Sequence, residues 1–262
     1  MCSSDLWRHI PDLDLVVEQP EGDAGPAAAH RLAAALQQAN PEPPLTVHLH
    51  RAYGTVEIDM AGVLVDLATA RREHYPVAAG NPVVRFGRLE DDLSRRDLTI
   101  NAMALVFQPD GPTLLDPFGG RDDLARRRLR FLHPDSLRDD PTRLVRAARY
   151  ASRLGFELSE EARDQAARTL AAWPWPWQRG DQPARAPAAL GTRLRMELEV
   201  LLEREPWPVA LERLQSWGGL ALLDPQLQRD RHWHRRLRWA ARAGLPPLPA
   251  LLAGAADPLA VA

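Results

Sequence analysis

The sequence is poor in several features, and each shortage excludes a class of protein. Its single cysteine, Cys2, excludes an internal disulfide and a cysteine-rich zinc site. No stretch reaches the roughly 18 uninterrupted apolar residues that a membrane helix needs. The N-terminus shows no basic segment followed by an apolar run. These absences predict a cytoplasmic protein that does not associate with a membrane.

Lysine is missing altogether, and all 33 basic residues are arginine, to which we attach no function. With 262 residues, 45% of them hydrophobic, the chain can bury the core of one or two domains. Its charges are unevenly placed, because residues 1–70 hold ten acids and three arginines, whereas residues 121–153 hold ten arginines and five acids. This separation fits a site that holds cations and polyanions together.

Two acids, Asp12 and Asp14, lie two residues apart in an apolar run near the N-terminus. Because the side chains of an extended strand alternate between its faces, both carboxylates are expected on the same side. Like charges this close repel unless a divalent cation lies between them, and Mg²⁺ takes oxygen ligands of this kind. The pattern indicates either a metal site at the end of a buried strand or a strand that ends in exposed acids.

A further acid, Asp66, interrupts the apolar segment 63–68, which we predict to form a hairpin with residues 55–58. An isolated charge costs several kcal/mol in an apolar environment unless it is paired or bound to a metal. A third carboxylate facing the first two would explain its presence. The following residues, 73–89, contain prolines and glycines without clear periodicity, which predicts a mobile loop.

Two later segments combine polar and apolar residues at helical spacing. Residues 98–105 place Asn101 on a face that also holds apolar residues, where its amide needs a partner. Residues 139–143 have an acid and a proline in the positions that are typical of a helix start. The helix that follows carries a stripe of arginines at spacings of three, three and four: Arg143, Arg146, Arg149 and Arg153.

This arginine stripe has two interpretations. A basic face exposed to water is the usual one. Alternatively, an Asp and an Arg one helical turn apart can present an acceptor and a donor fork to the edge of a flat heterocycle.

The C-terminal third begins with residues 173–187, where alternating tryptophan and proline predict a stiff connector. Helical patterns follow at about 190–204, 207–217 and 230–243. The last of them carries Arg235, Arg236, Arg238 and Arg242 together with Trp233 and Trp239. This composition suits an RNA-backbone surface and equally a plain amphipathic surface helix.

Six of these segments, taken in order, resemble the motifs of the class II (bacterial) tRNA nucleotidyltransferases and their poly(A) polymerase relatives. The ordered set covers roughly residues 10–160 and is highly specific. The segments are Asp12-Leu13-Asp14 and residues 51–55, 65–71, 95–104, 116–120 and 139–149.

The resemblance implies an α+β fold, with a nucleotidyltransferase-type mixed β-sheet in a head domain followed by an all-helical neck and body. It implies that Asp12 and Asp14 hold two Mg²⁺ ions and that Asp66 is the third catalytic carboxylate. The implied partners are the tRNA 3′ end, ATP and CTP. The implied nucleotide-binding residues are Arg96, Asp97 and Asn101 near the ribose and phosphates, Asp140 and Arg143 at the base edge, and Arg146 and Arg149 further along the same helix.

On this basis we divide the chain into a head (1–120), a neck with the base-reading helix (121–172), a connector (173–189) and part of an RNA-binding body (190–262). Family members carry a Gly-Gly-x-x-Arg-Asp loop ahead of the Asp-x-Asp strand, and here only residues 1–8 precede that strand. The body is also shorter than in the family. We therefore expect a fragment of an enzyme that lacks both ends.

The expected activity is Mg²⁺-dependent transfer of CMP and AMP from CTP and ATP to the tRNA 3′ end, that is, addition or repair of CCA. Alternatives within the family are an enzyme that adds only A or only CC, or a poly(A) polymerase. Residues 74–85 contain no acid, whereas full CCA-adding relatives tend to place an Asp and an Arg there, so a narrower A-adding role stays open. A non-catalytic RNA-binding remnant is the alternative from a different class. The sequence leaves the oligomeric state open.

Overall fold

The computed structural model describes residues 12–19, 22–39, 42, 45–50, 53–60, 63–172 and 187–256, apart from the side chains of Asp12 and Met60. The chain forms two compact units. We call Met1–His74 with Val83–Arg95 the sheet unit, and Tyr75–Pro82 with Arg96–Ala262 the helical unit. The sequence placed its first boundary after residue 120, and the four-domain division stays a prediction.

The sheet unit is built on a four-stranded sheet in the order β1-β4-β3-β2. Its strands are β1 (Asp12–Val17), β2 (Thr46–His50), β3 (Thr55–Met60) and β4 (Val63–Thr69), with β1 parallel to β4 and the other pairs antiparallel. Helix α1 (Ala28–Ala39) covers one face. Alternate apolar residues of the strands pack there with the small residues of the helix: Ala29, Ala33, Val56, Ile58, Val65 and Leu67.

The segment expected to be a mobile loop, residues 73–89, includes parts of two strands and the start of a helix. Strands β5 (Arg71–His74) and β6 (Val83–Phe86) form an antiparallel hairpin, and helix α2 (Leu89–Ser94) follows. Residues 75–82 between the two strands are irregular, as are residues 87–88, and residues 75–82 belong to the helical unit. The loop prediction missed the hairpin because strands as short as β5 and β6 leave no local periodic pattern.

The helical unit begins with a short 3₁₀ turn (Thr99–Asn101), which is followed by the hairpin of β7 (Ala104–Gln108) and β8 (Gly111–Leu115). The helical interpretation of residues 98–105 was therefore wrong, because pairing with β8 draws residues 104–108 into a strand. A two-stranded sheet joins β9 (Arg128–Leu129) and β10 (Glu157–Leu158). The helices are α3 (Gly120–Ala125), α4 (Ser136–Asp139), α5 (Thr142–Leu154), α6 (Glu160–Ala171), α7 (Thr192–Arg204), α8 (Trp207–Ser216), α9 (Pro225–Arg229), α10 (Trp233–Arg242) and α11 (Pro247–Leu252).

Helix α5 is the centre of this unit. Its apolar face, including Leu144, Val145 and Ala148, is fully buried in a core shared with α7 and α8. The predicted C-terminal helices correspond to α7, α8 and α10, and the predicted α+β fold class is confirmed. Most of the predicted connector lies outside the described residues. Among the described residues, no helix is both long and apolar enough to cross a membrane.

Candidate active site

The face of the large sheet opposite α1 carries a row of polar residues. Asp14 on β1 is in register with Asp66 on β4, which is in register with Glu57 on β3, and Glu57 is in register with His48 on β2. Residues in register on neighbouring strands share a face, with Cβ atoms roughly 5 Å apart. The fold thus places three carboxylates side by side on the surface of one sheet.

The strands present these acids away from the core. Val65 and Leu67, which flank Asp66, are buried against α1, so alternation directs Asp66 to the opposite face. Asp14 is exposed and Asp66 is half-buried. From the sequence we interpreted Asp66 as a charge in an apolar environment. That interpretation was wrong, because only its neighbours in the chain are apolar. His48 and His50 on β2 are exposed.

Asp12 lies two residues before Asp14 on the same strand and is in register with Leu64. Its backbone position puts it on the polar face of the sheet, and its side chain is outside the described part of the structure. Within that described part, no group of three or more metal-binding side chains converges. The donors that are present, the carboxylate oxygens of Asp14 and Asp66, are of the kind that Mg²⁺ binds.

In the helical unit the predicted nucleotide residues Asp97 and Asn101 contact each other. Asp97 is buried and accepts hydrogen bonds from the Leu98 amide (2.8 Å) and from Nδ2 of Asn101 (2.8 Å). Its other oxygen accepts from Nε of Arg146 on α5 at 2.7 Å. Asn101 therefore has the partner that its amide requires. The carbonyl oxygen of the same residue lies 3.4 Å from Nη1 of Arg96.

The Asp97–Arg146 pair determines the charge state of this cluster. Burial acts to raise the pKa of Asp97, but the Arg146 charge and three hydrogen bonds outweigh it, and the net effect lowers that pKa. For Arg146, burial disfavours the charged form, but Asp97 and Glu197 together raise its pKa above the ordinary value. Both side chains are consequently charged and held in place.

The arginines of the α5 stripe are mostly paired with acids, and only Arg153 is exposed. Arg146 bonds Glu197 of α7 at 3.1 Å, and Arg149 bonds the other oxygen of Glu197. Arg149 and Arg153 both bond Glu205, which is buried at the C-terminal end of α7. The alternative of a solvated basic face was therefore wrong for Arg143, Arg146 and Arg149 and holds in part for the exposed Arg153. Glu197 and Glu205 pair with three of the four arginines.

The two predicted base-reading residues lie at the start of α5. Asp140 is nearly buried, and its Oδ1 accepts from the amide (3.0 Å) and hydroxyl (2.6 Å) of Thr142. Its Oδ2 accepts from Nη1 of Arg193 on α7 at 2.8 Å. Arg143 is buried, and its Nη1 lies 3.4 Å from the Ser136 carbonyl. These bonds give both side chains defined orientations.

Charges around Arg143 also alter two neighbouring groups. Burial, together with the Arg143 charge, lowers the pKa of His133. Burial raises the pKa of Asp139, which His133 and Arg143 partly offset. The start of α5 is thus a partly dehydrated environment, in which electrostatic interactions are stronger than in water.

A buried acid supports the turn that carries Asn101. Asp123 is completely buried and accepts from the Thr99 hydroxyl (2.7 Å) and from Arg128 (3.0 Å) and Arg130 (2.9 Å). Gly120 packs so closely on this turn that a Cβ atom would lie 2.2 Å from the Thr99 carbonyl oxygen. The glycine-rich segment 116–120 therefore has a packing role beside the nucleotide residues.

Sequence reasoning missed five residues that the structure places at these clusters: Glu57, Asp123, Arg193, Glu197 and Glu205. Only Glu57 had a usable local signal, because it occupies an alternating position on a predicted strand. The others meet partners from distant parts of the chain, and the alternation of charge along α7 is also common on exposed helices.

Comparisons with known proteins agree with this architecture. Residues 5–130 match the model of the poly A polymerase head domain. The chain is 41% identical over 214 residues to a CC-adding tRNA nucleotidyltransferase of Deinococcus radiodurans, covering 81% of this chain and 50% of the relative. It is 37% identical over 227 residues to an A-adding tRNA nucleotidyltransferase of Halalkalibacterium halodurans, covering 82% and 48%. The chain thus spans about half the length of these curated relatives.

Two solved structures are similar over nearly the whole chain. A CCA-adding enzyme in an apo form superimposes with a TM-score of 0.69 at 27% identity, covering 93% of this chain and 55% of that one. A tRNA nucleotidyltransferase complexed with a primer tRNA and an incoming ATP analogue gives a TM-score of 0.63 at 27% identity, covering 96% and 68%. These matches confirm the resemblance that the sequence motifs indicated.

Proposed function

We propose, from the match of residues 5–130 to the poly A polymerase head domain, that the chain transfers CMP and AMP from CTP and ATP to the 3′ end of tRNA in the cytoplasm. One observation carries the proposal. Asp14 and Asp66, which are 52 positions apart in the sequence, are in register on the open face of a sheet within the matched region.

In this proposal Asp12, Asp14 and Asp66 are the catalytic carboxylates, and Asp12 and Asp14 hold Mg²⁺. A bound Mg²⁺ would supply charge stabilisation for the triphosphate and for a deprotonated RNA 3′-hydroxyl. The side chains of Asp14 and Asp66 have no hydrogen bond or ion pair with the described residues. Their oxygens are therefore available to an added cation. Asp66 also adds negative charge beside the metal ligands, which raises their affinity for a cation.

The proposed nucleotide contacts come from the helical unit. Asp97 and Asn101, ordered by Arg146, would bind the ribose, with Arg96 near the phosphates. The Asp140 carboxylate would accept a hydrogen bond from the edge of the base, and the Arg143 guanidinium would donate to it. Because Arg146 and Arg149 already pair with acids, each would exchange or share an acid partner when it contacts the nucleotide.

The exposed side of α10 supports RNA binding. Arg235, Arg238 and Arg242 are exposed together with Trp239, while Trp233 and Leu237 anchor the opposite side of the helix in the core. Exposed arginines bind phosphates, and an exposed aromatic ring can stack on a base. We propose that this side of α10 contacts the tRNA backbone.

The nucleotides added are the finer part of the proposal. Similar curated proteins include CC-adding, A-adding and multifunctional CCA enzymes. We propose addition or repair of CCA. The absence of acids in residues 74–85 favours an A-adding enzyme as the second candidate.

One experiment separates these activities. The chain is incubated with Mg²⁺ and tRNAs that lack the last one, two or three nucleotides, with each labelled nucleotide in turn. CMP addition to the two shorter tRNAs and AMP addition to the longest would support CCA addition. AMP addition alone would identify an A-adding enzyme, and repeated AMP addition a poly(A) polymerase. No incorporation at any Mg²⁺ concentration, with salt-sensitive tRNA binding retained, would contradict catalysis altogether.

A further inference from the structure

Arg193 on α7 holds one of the two proposed base-reading residues. Its Nη1 donates to Oδ2 of Asp140 at 2.8 Å, and its Nη2 donates to the carbonyl oxygen of Gly80 at 2.6 Å. The arginine side chain is about one-third exposed, whereas that of Asp140 is 13% exposed. A guanidinium that is bound at two points has a fixed plane, so Asp140 meets a charge of defined position.

The Gly80 end of this bridge is itself anchored. Neighbouring Ala79 is fully buried and has a φ of 56°, a left-handed conformation that alanine rarely adopts. Its amide donates to the Arg138 carbonyl (2.9 Å), and its carbonyl accepts from the Ala189 amide (2.8 Å). Such a conformation persists only where surrounding contacts enforce it. Segment 75–82 is thereby attached to α4 and to the 3₁₀ turn (Ala188–Leu190) that precedes α7.

The hydrogen bonds that Asp140 accepts occupy most of the acceptor positions of its carboxylate. An ionised carboxylate has about four lone-pair positions, two on each oxygen. Thr142 takes both positions on Oδ1 with its amide and hydroxyl, and Arg193 takes one on Oδ2. Within the described residues, one acceptor position of Asp140 is left, and it lies on the oxygen that Arg193 orients.

This remaining position suits an exocyclic amino group. Cytosine and adenine each carry an amino donor on the Watson–Crick edge, whereas uracil and guanine carry a carbonyl oxygen at the corresponding place. A carboxylate with one oriented lone pair accepts from the first two bases and repels the second two. If the carboxylate can rotate, a different oxygen faces the base. The discrimination between amino-bearing bases and carbonyl-bearing bases then weakens.

We infer that Arg193 is a positioning residue for base selection, acting through Asp140. It orients the carboxylate so that one acceptor faces the amino group of CTP or ATP, and it is fixed for this task by the Gly80 carbonyl. The inference rests on the proposed function, since it assumes that Asp140 reads the base.

The test compares Arg193→Gln with Arg195→Gln in the full chain. Arg195 lies on the same helix, is exposed, and pairs only locally with Glu199. We measure kcat and KM for CTP, ATP, UTP and GTP in single-nucleotide addition to tRNA. For Arg193→Gln, we expect the preference for the accepted nucleotide over UTP and GTP to fall about tenfold, with KM for the accepted nucleotide rising more than kcat falls. For Arg195→Gln, we expect wild-type values.

A merely structural role would give a different pattern. Loss of packing would lower the unfolding temperature and reduce all four activities together. Arg193→Lys keeps the charge beside Asp140 but loses the anchor at Gly80, so its discrimination should lie between those of the wild type and Arg193→Gln. Amide exchange at Ala79 should accelerate in Arg193→Gln and not in Arg195→Gln.

The outcomes separate the inference from the proposed function. A wild-type chain that neither incorporates CTP or ATP nor binds them in equilibrium dialysis overturns both. An active wild-type chain whose discrimination is the same in Arg193→Gln and Arg195→Gln overturns only the role of Arg193. The role of Arg193 is also overturned if Arg193→Gln lowers all four activities equally and Arg193→Lys discriminates no better than Arg193→Gln.

Discussion

The polar face of the large sheet and the contact between α5 and α7 treat their charges in opposite ways. In the sheet unit, Asp14 and Asp66 lie side by side without a partner among the described residues. In the helical unit, the acids and arginines of α5 and α7 are joined in a continuous set of ion pairs. Charges left unpaired on an exposed face are available to an external ion, whereas charges that neutralise one another set the positions of side chains. The same kind of residue thus serves binding in one unit and positioning in the other.

The largest effect should follow from removing an unpaired carboxylate. We expect Asp66→Asn to abolish nucleotide incorporation while the free energy of unfolding stays the same or rises slightly, because a like charge beside Asp14 is removed. Labelled-nucleotide addition and urea unfolding measure the two quantities. Asp164→Asn, an exposed acid on α6, is the control for both. An active Asp66→Asn chain would remove this carboxylate from the proposed catalytic set.

The converse change removes a paired carboxylate in the helical unit. Asp97→Asn leaves the half-buried Arg146 with one acid partner fewer, and losing a charge-assisted hydrogen bond of this kind should reduce the free energy of unfolding by about 2 kcal/mol. Urea unfolding at neutral pH measures this loss. If Asp97→Asn is as stable as Asp66→Asn, the contrast between paired and unpaired charges does not hold.

The same pair predicts how stability depends on pH. The pKa of Asp97 is lower in the folded chain than its ordinary value of 3.8. The stabilisation is therefore complete above that value and is lost as the pH falls through the folded pKa. Urea unfolding between pH 7 and pH 3 should show wild-type stability decreasing at the acid end. The decrease should be smaller in Asp97→Asn, and equal slopes would contradict the assignment.

The smallest effect concerns arginines, which also occur in paired and unpaired form. Arg238 on α10 is exposed without a partner among the described residues, whereas Arg153 on α5 is held by Glu205. Arg238→Gln should weaken tRNA binding severalfold and reduce the slope of log K against log salt by about one. Arg153→Gln should leave that slope unchanged. Filter binding over a range of salt concentrations distinguishes the two variants. If both changes lower the slope equally, Arg153 contacts RNA despite its ion pair with Glu205.

Local patterns predicted much of the fold. Alternation identified the strands of the large sheet, and helical periodicity located α5, α7, α8 and α10. The failures occurred where pairing is not local. Residues 98–105 had a helical spacing, but pairing of β7 with β8 overrode it. Residues 73–89 lacked a pattern because two short strands flank an irregular segment whose order comes from contacts with α4 and α7.

The sequence by itself determined which residues carry charge, which face of each strand or helix they occupy, and, through the ordered motifs, the family that this chain resembles. Only the tertiary structure decided which charges meet. The parallel register of β1 and β4 brings Asp14 beside Asp66, and the packing of α7 on α5 gives Arg146, Arg149 and Asp140 their partners. The physical reason is that alternation and helical spacing are properties of neighbours in the chain. Strand register and interhelical ion pairs instead depend on how distant segments bury their apolar faces.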